Sequence, residues 1–519
     1  MSARARTAVL SVAAVLVVSR LLGFVREMVI ADKFGTSAQY DLYLIALILP
    51  ALAYGVINFA SYYLFVPFIT RKLEQQPELS DAAASWRNLW PAINLTHLLS
   101  LAITLGIVLT APLIMKIWGR DYDAEQFARI VWFSRLTAVM VLLGTSEAFM
   151  RAYLNVRKIY SYPAAGYIVF NLTSILSILL LHHQLGVAAV AVGLVGGLFL
   201  QNVYLSLRLA GFHPLSGFRA VIWSDESRAF IGTASILLLI ELINRSYFLA
   251  DRYVAPGFGE GVVSALNYCQ VLVQLPESIL GFAIGAVVFP MFSASASANQ
   301  RERFAETYRT AVNSALLFAV PLAVFMYLYA EPLVRLLFQR GAFDAESARV
   351  TSELFRPYIP AVLALFVVST SVRACYGAGW GKTVLLFAAV MLLVKFAATG
   401  ILPLWFGYQG ISAATSLAHL GMALMLMILT IRRSAAVAGR RIGFDILRLL
   451  ASGATAFVVT LLVDSYLLCR LDESSLLALI IKLIISAAVV LASFVSGGLI
   501  FGVKRVFADY IALRQGSQT

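Results

Sequence analysis

Residues 476–502 read LLALIIKLIISAAVVLASFVSGGLIFG, an apolar run interrupted by one charge, Lys482. A helix of about 20 such residues crosses the ~30 Å hydrocarbon layer of a bilayer. Runs of this kind recur along the whole chain. Broken at charged, Gly and Pro positions, they predict fourteen spans: 8–30, 41–69, 91–115, 130–153, 162–182, 185–207, 230–253, 262–290, 311–330, 351–375, 383–403, 409–431, 446–468 and 476–502. All are expected to be helices, because an open strand edge in lipid leaves backbone groups unpaired. Composition agrees. Of 519 residues, 61% are hydrophobic and 13% charged, against ~25% charged in soluble domains, and the mean hydropathy is +0.85. So little charge cannot clothe a soluble surface, which excludes a cytosolic enzyme, a disordered chain and a secreted disulfide scaffold. The net charge of +13 has no solvated face on which to build a nucleic-acid patch, so no nucleic-acid partner is expected. It reads instead as the Lys/Arg bias of cytoplasmic loops.

An even number of spans puts both termini on one side. One set of alternate loops holds Arg4 and Arg6, then Arg71, Lys72 and Arg87, then Arg151, Arg157 and Lys158, then Arg301, Arg303 and Arg309, then Arg432, Arg433, Arg440 and Arg441. It carries over twice as many Lys and Arg as the other set, which places both termini in the cytoplasm. The apolar run after Arg6 passes through Arg20 and Arg26 without a small-residue cleavage site, so it is read as the first span and not a leader. No loop is long enough to hold an extramembrane catalytic domain.

The chain also echoes itself. Ala31-Asp32-Lys33-Phe34 ends the first span and Ala250-Asp251-Arg252-Tyr253 the seventh. Leu49-Pro50 with Phe65-Val66-Pro67 returns as Leu275-Pro276 with Val288-Phe289-Pro290. The offset is six spans, so both copies run in the same direction. An all-α integral membrane fold is therefore expected, with two pseudo-symmetric six-helix lobes at 1–225 and 226–440 and two additional helices with a cytoplasmic tail at 441–519. Parallel repeats of this kind bind substrate between lobes and switch access by rocking.

Cations inside spans each cost roughly 2.5–3.5 kcal/mol at mid-helix. Nine lie within or beside spans: Arg20, Arg26, Arg135, Arg245, Arg356, Arg373, Lys395, Arg448 and Lys482. Those near span ends are read as ion pairs or as side chains reaching the headgroups, and Lys395 as either a buried pair or a cavity charge. Arg20 and Glu27, seven apart, share a face with Gly23 between them. Glu241, Arg245 and Arg252 form one stripe at i, i+4 and i+11, with Asp251 a quarter turn away. Arg20, Arg26 and Arg245 belong to the paired first and seventh helices, and a cavity lined by guanidinium groups binds an anion. Their planar fork suits a diphosphate.

Other chemistry is not supported. Tyr376-Gly377-Ala378-Gly379-Trp380-Gly381-Lys382-Thr383 resembles a phosphate-binding loop, but Tyr376 stands where the first Gly is required. Cys269, Cys375 and Cys469 are scattered, and the five histidines have no metal spacing. No catalytic residues and no metal site are expected. Asn171-Leu172-Thr173 lies inside a span and carries no glycosylation meaning. With no ATP module, coupling to the membrane potential or to a monovalent cation is expected.

Ser19-Arg20-Leu21-Leu22-Gly23-Phe24-Val25-Arg26-Glu27, followed by Phe34-Gly35 and Asp41, resembles the opening of the MurJ/MviN family. So do Leu337-Phe338-Gln339-Arg340-Gly341-Ala342-Phe343-Asp344, then Arg373-Ala374-Cys375-Tyr376-Gly377, and the Leu-Pro and Phe-Pro pairs of 275–290. The likeness covers essentially the whole chain. That family sits in the multidrug/oligosaccharidyl-lipid/polysaccharide exporter superfamily, and its members flip lipid II, the undecaprenyl-diphosphate-linked peptidoglycan precursor, across the bacterial inner membrane. The resemblance implies a substrate site of Arg20, Arg26 and Asp41, to which the residue reading adds Arg245, Glu241 and Arg252. It also implies a cation-coupling acid at Asp251, a tail groove formed by the last two helices, and membrane lipids and glycan polymerases or synthases as partners. The chain departs from the family pattern in places. The usual arginine after the span-two proline is absent from Pro50-Ala51-Leu52-Ala53-Tyr54-Gly55, and an Asp-Arg before Leu275-Pro276 is replaced by Gln270-Val271, with Gln274 for a nearby Glu. Arg245 is the candidate substitute. Three substrates stay open: lipid II, an exopolysaccharide or O-antigen-like repeat unit, and, for a cation-coupled exporter, a drug.

Overall fold

The computed structural model describes residues 3–75, 82–209, 238–239, 241–243, 245–277, 292, 301–434, 436–466, 475–503 and 506. Among them the structure is helical, and eleven helices are long and apolar enough to cross a membrane. Of the other three predicted spans, 8–30 lies within a helix at Ala3–Phe34, while 230–253 and 262–290 run partly outside the described residues. The lobe boundary at 225/226, the Val288-Phe289-Pro290 echo and Cys469 also lie outside them. The chain forms two compact units, Met1–Ser264 and Ala265–Thr519.

In the first unit, α1 (Ala3–Phe34), α2 (Ala38–Ala46), α3 (Ile48–Gln75), α4 (Ala82–Ile114), α5 (Ala124–Val156), α6 (Ser161–Leu185) and α7 (Ala188–Ser206) precede the short α8 (Tyr247–Val254). The predicted span 41–69 is two helices and not one. The break falls at Leu47, three residues before Pro50, whose ring supplies no N–H to the preceding turn. α5 packs against α3, α4, α7 and α2, and α6 against α7 and α1. Gly193 and Gly197 let α7 approach α6 closely: a Cβ on Gly197 would stand 2.8 Å from the Phe170 carbonyl oxygen. Ser174 of α6 fixes the crossing by donating to the Gly193 carbonyl at 3.0 Å, the small-residue packing that membrane helices use.

α9 (Val262–Pro276) crosses from the first unit into the second. There, α10 (Arg301–Leu328), α11 (Ala330–Phe338), α12 (Ala345–Tyr358), α13 (Pro360–Gly377), α14 (Gly381–Ile401), α15 (Gln409–Arg433), α16 (Ala436–Tyr466) and α17 (Leu476–Ile500) follow. The predicted span 351–375 is likewise broken, before Pro360. α10 is the central helix, with 67% of its apolar stretch buried against 28% in α16 and in α17. The last two helices are thus less buried in the protein than α10. Polar clamps attach α16 to α10, and join it to α17 and to Tyr329 just beyond α10. Arg309 donates to Asp445 at 2.7 Å, Asn313 to the same carboxylate at 3.0 Å, and Asp464 meets both Tyr329, at 3.2 Å, and Lys482, at 3.5 Å. Arg309 and Arg151, assigned to loops by hydropathy, lie inside α10 and α5, each drawn in by a carboxylate.

Candidate functional site

α1 presents Arg20 on an exposed face and Arg26 half-buried. Arg20 and Glu27 lie seven residues apart on α1, and Glu27 is buried. Glu27 takes its chain neighbour, Arg26, with Nη2 2.7 Å from Oε1. The Arg26 guanidinium lies 5.3 Å from the Phe170 ring centroid and reaches Asn171 Oδ1 at 3.4 Å. Asn171 is buried, and its amide donates to the Ser19 and Tyr167 carbonyls at 3.2 and 2.9 Å. One amide of α6 therefore holds the backbone and the guanidinium of α1 together. Sequence reading passed over Asn171 because its only visible signal was a meaningless glycosylation triplet.

Asp41 and Arg252 act on α2 and its neighbours. Asp41 is buried, and its two oxygens accept the Gly261 N–H at 2.6 Å, the Ser264 N–H at 2.8 Å and the Ser264 hydroxyl. This carboxylate caps the first turn of α9 from a different helix, where orphan N–H groups and the helix dipole favour an anion. Gly261, at φ 85°, makes the turn that brings those N–H groups round. Arg252 donates to the Leu44 carbonyl and stacks on Phe248 at 5.3 Å. Asp41 and Arg252 thus pin residues 252–264 to α2. Trp118, donating to the Leu249 carbonyl at 3.1 Å, and Arg120, 4.2 Å from the Tyr253 ring centroid, hold α8 from the other side.

Glu241 and Arg245 pair at 2.6 Å one turn apart. The Glu241 side chain is 9% exposed and that of Arg245 42%, so the acid is sunk and the guanidinium open. Asp251 is half-buried. The predicted residues therefore fall into three local groups: Arg26 with Glu27, Asp41 with Arg252 about α2, and Glu241 with Arg245. Among the described residues no hydrogen bond or ion pair joins one group to another, although Tyr40 and Tyr43 of α2 lie close to both Arg26 and Arg252.

A fourth group was not anticipated. Glu147 of α5 accepts from Asn58 at 2.7 Å, Arg151 at 2.9 Å and Tyr167 at 3.4 Å. Arg151 also donates to Asn58 at 3.0 Å and lies 4.1 Å from the Tyr62 ring centroid. Its sequence signal, Glu-x-x-x-Arg inside an apolar stretch, is the one that marks Glu241 and Arg245. Of these groups, Arg26 with Glu27 and Arg245 with Glu241 keep part of a guanidinium accessible beside a buried acid.

A family model described as "Lipid II flippase MurJ" matches residues 30–483. The chain is similar to the probable lipid II flippase MurJ of Bdellovibrio bacteriovorus, with 26% identity over 79% of each chain. It is also similar to the lipid II flippase MurJ of Burkholderia cenocepacia, with 23% identity over 81% of this chain and 83% of that one. Among solved structures, a lipid II flippase MurJ in an inward closed conformation matches with a TM-score of 0.77 at 20% identity, covering 94% of this chain and 98% of that one. An inward-facing multidrug resistance MATE family transporter matches at 0.64 and 13% identity, covering 80% and 94%. With the family model spanning most of its length, the chain belongs to the lipid II flippase MurJ family, multi-pass membrane transporters and not enzymes.

Proposed function

We propose that the chain flips an undecaprenyl-diphosphate-linked glycan of the lipid II type across the bacterial inner membrane by alternating access. One observation carries the reading: two membrane-embedded arginines each pair with a buried acid while keeping part of the guanidinium accessible, Arg26 with Glu27 and Arg245 with Glu241. The acid offsets the cost of placing a cation inside a span. The remaining N–H groups form a fork matched to phosphoryl oxygens. Arg20, exposed on the same helix as Arg26, adds a third cation. Family membership and the names of its relatives support the substrate class. In this reading both termini face the cytoplasm, glycan polymerases or synthases receive the product, and the membrane potential or a monovalent cation at Asp251 drives the cycle.

The test is expression in a bacterium whose own essential lipid II flippase can be switched off. Growth and lipid II exposed on the outer face are expected to be restored. Arg20→Ala and Arg26→Ala are expected to abolish rescue at normal membrane abundance, and full rescue by both variants would overturn the proposal. A second reading, an exopolysaccharide or O-antigen-like repeat unit, is favoured by the absence of charge between Pro50 and Thr70 and by Gln270 and Gln274. It predicts no rescue with the protein present in the membrane.

A further inference from the structure

α3 has no charged residue from Ile48 to Thr70, yet a guanidinium lies against its backbone. A Cβ built on Gly55 would overlap Nε, Cζ and Cδ of Arg245. Gly55 sits inside a regular helix with ordinary helical φ, where glycine is unfavourable relative to alanine. Conformation therefore does not call for glycine at this position; space does. The missing side chain is the room that Arg245 fills. Glu241, bonded to Arg245 Nε at 2.6 Å, holds the guanidinium from its buried side. With Nε committed to Glu241 and one side resting on α3, the Nη edge remains for a bidentate anion.

We infer that Gly55 is a specificity-determining socket: it sets the position at which Arg245 meets the diphosphate of the lipid-linked substrate, so that the uncharged 48–70 stretch of α3 recognises an anion with a cation borrowed from the segment before α8. This rests on the function proposed above. Gly55 touches no substrate itself and acts through Arg245, as a positioning residue.

The test is a double-mutant cycle on the full chain in detergent or nanodiscs, reading the Kd for purified lipid II and the Tm of each variant. Gly55→Ala and Arg245→Ala are each expected to weaken binding roughly tenfold or more, the scale of one charge-assisted hydrogen bond. The double variant is expected to bind no worse than Arg245→Ala alone, since the alanine at 55 has nothing left to displace. Wild-type affinity in Gly55→Ala, or a loss just as large in the Arg245→Ala background, would overturn the inference. Should Gly55→Ala fail to fold, Arg245→Ala in the same chain must restore folding by relieving the overlap, and failure to do so also overturns it. Arg26→Ala separates the two levels. If Arg26→Ala and Arg245→Ala lose affinity while the cycle is additive, only the socket falls. If neither loses affinity, the diphosphate reading falls and the socket with it.

Discussion

Glu147 shows what a single embedded acid requires. Its side chain is 1% exposed, and Asn58, Arg151 and Tyr167 converge on it. Removing one partner of a buried pair leaves the other charge uncompensated, which costs about 3–5 kcal/mol, whereas replacing both with apolar residues of similar volume is often close to neutral. Glu147→Gln is therefore expected to lower the Tm of the purified protein sharply, and Glu147→Leu with Arg151→Met to recover most of the loss. A double variant as unstable as the single one would show that the network does more than neutralise charge. Asp344, in the loop before α12, poses a different problem. It caps the helix by accepting the Ser347 N–H at 2.8 Å, and that bond holds its carboxyl below the usual carboxylate range. The folded group binds its proton less readily than the unfolded one, so the stabilisation is complete above the unfolded pKa and disappears as the pH falls through the folded value. Asp344→Ala is expected to cost about 1 kcal/mol at neutral pH. Unfolding measured across a pH series should show the gap between variant and wild type narrowing below about pH 4.

Helices in lipid must satisfy every backbone group internally, and the interruptions show how this chain does it. Pro112 of α4 has no N–H to offer the Val108 carbonyl, and Arg135 of α5 supplies the bond at 3.0 Å through Nε. Ser416 of α15 performs a related repair at the α12–α13 break, accepting from the Ala361 N–H at 3.2 Å and donating to the Pro357 carbonyl at 2.6 Å. The first case makes a conditional prediction. Arg135→Leu is expected to destabilise the protein by about 1 kcal/mol and to do so far less in a Pro112→Ala background, where the helix can close its own bond. Equal effects in both backgrounds, read by thermal unfolding, would mean that Arg135 matters for another reason. The spans themselves were legible because hydropathy over about 20 residues depends on composition alone. The breaks at Leu47 and before Pro360 were marked by prolines, but the residues that repair such breaks were not, because Arg135 and Val108 are 27 positions apart and meet only once α4 and α5 pack. Arg151 and Arg309 were misplaced into loops for the same reason: hydropathy counts a charge as an end of a span, whereas Glu147 and Asp445 make each of them a buried partner.

For the whole molecule the unresolved term is the force that drives the substrate outward. A diphosphate-linked lipid leaving a negative interior gains about 2.3 kcal/mol per elementary charge for each 100 mV of potential, enough to pull it toward the outer face without a chemical cofactor. The sequence made the embedded cations legible, since an arginine in an apolar run needs a partner or water. It did not separate the acids by task. Asp41 is spent as a cap on α9, and Glu27 and Glu241 neutralise arginines. The proposed function places a monovalent cation at Asp251, as the family resemblance implies, and the two driving forces then differ in what abolishes transport. If the substrate's own charge is driven by the field, collapsing the potential with potassium and valinomycin is expected to lower outward lipid II in proteoliposomes several-fold, sodium replacement at constant potential is expected to change little, and Asp251→Asn is expected to retain the response to potential. If sodium or proton binding at Asp251 resets the transporter, removing that ion at constant potential stops flipping and Asp251→Asn is inactive under every condition. Transport indifferent to both manipulations would leave only the concentration gradient of the substrate, and would require the arginine sites to release it as readily outward as they bind it from within.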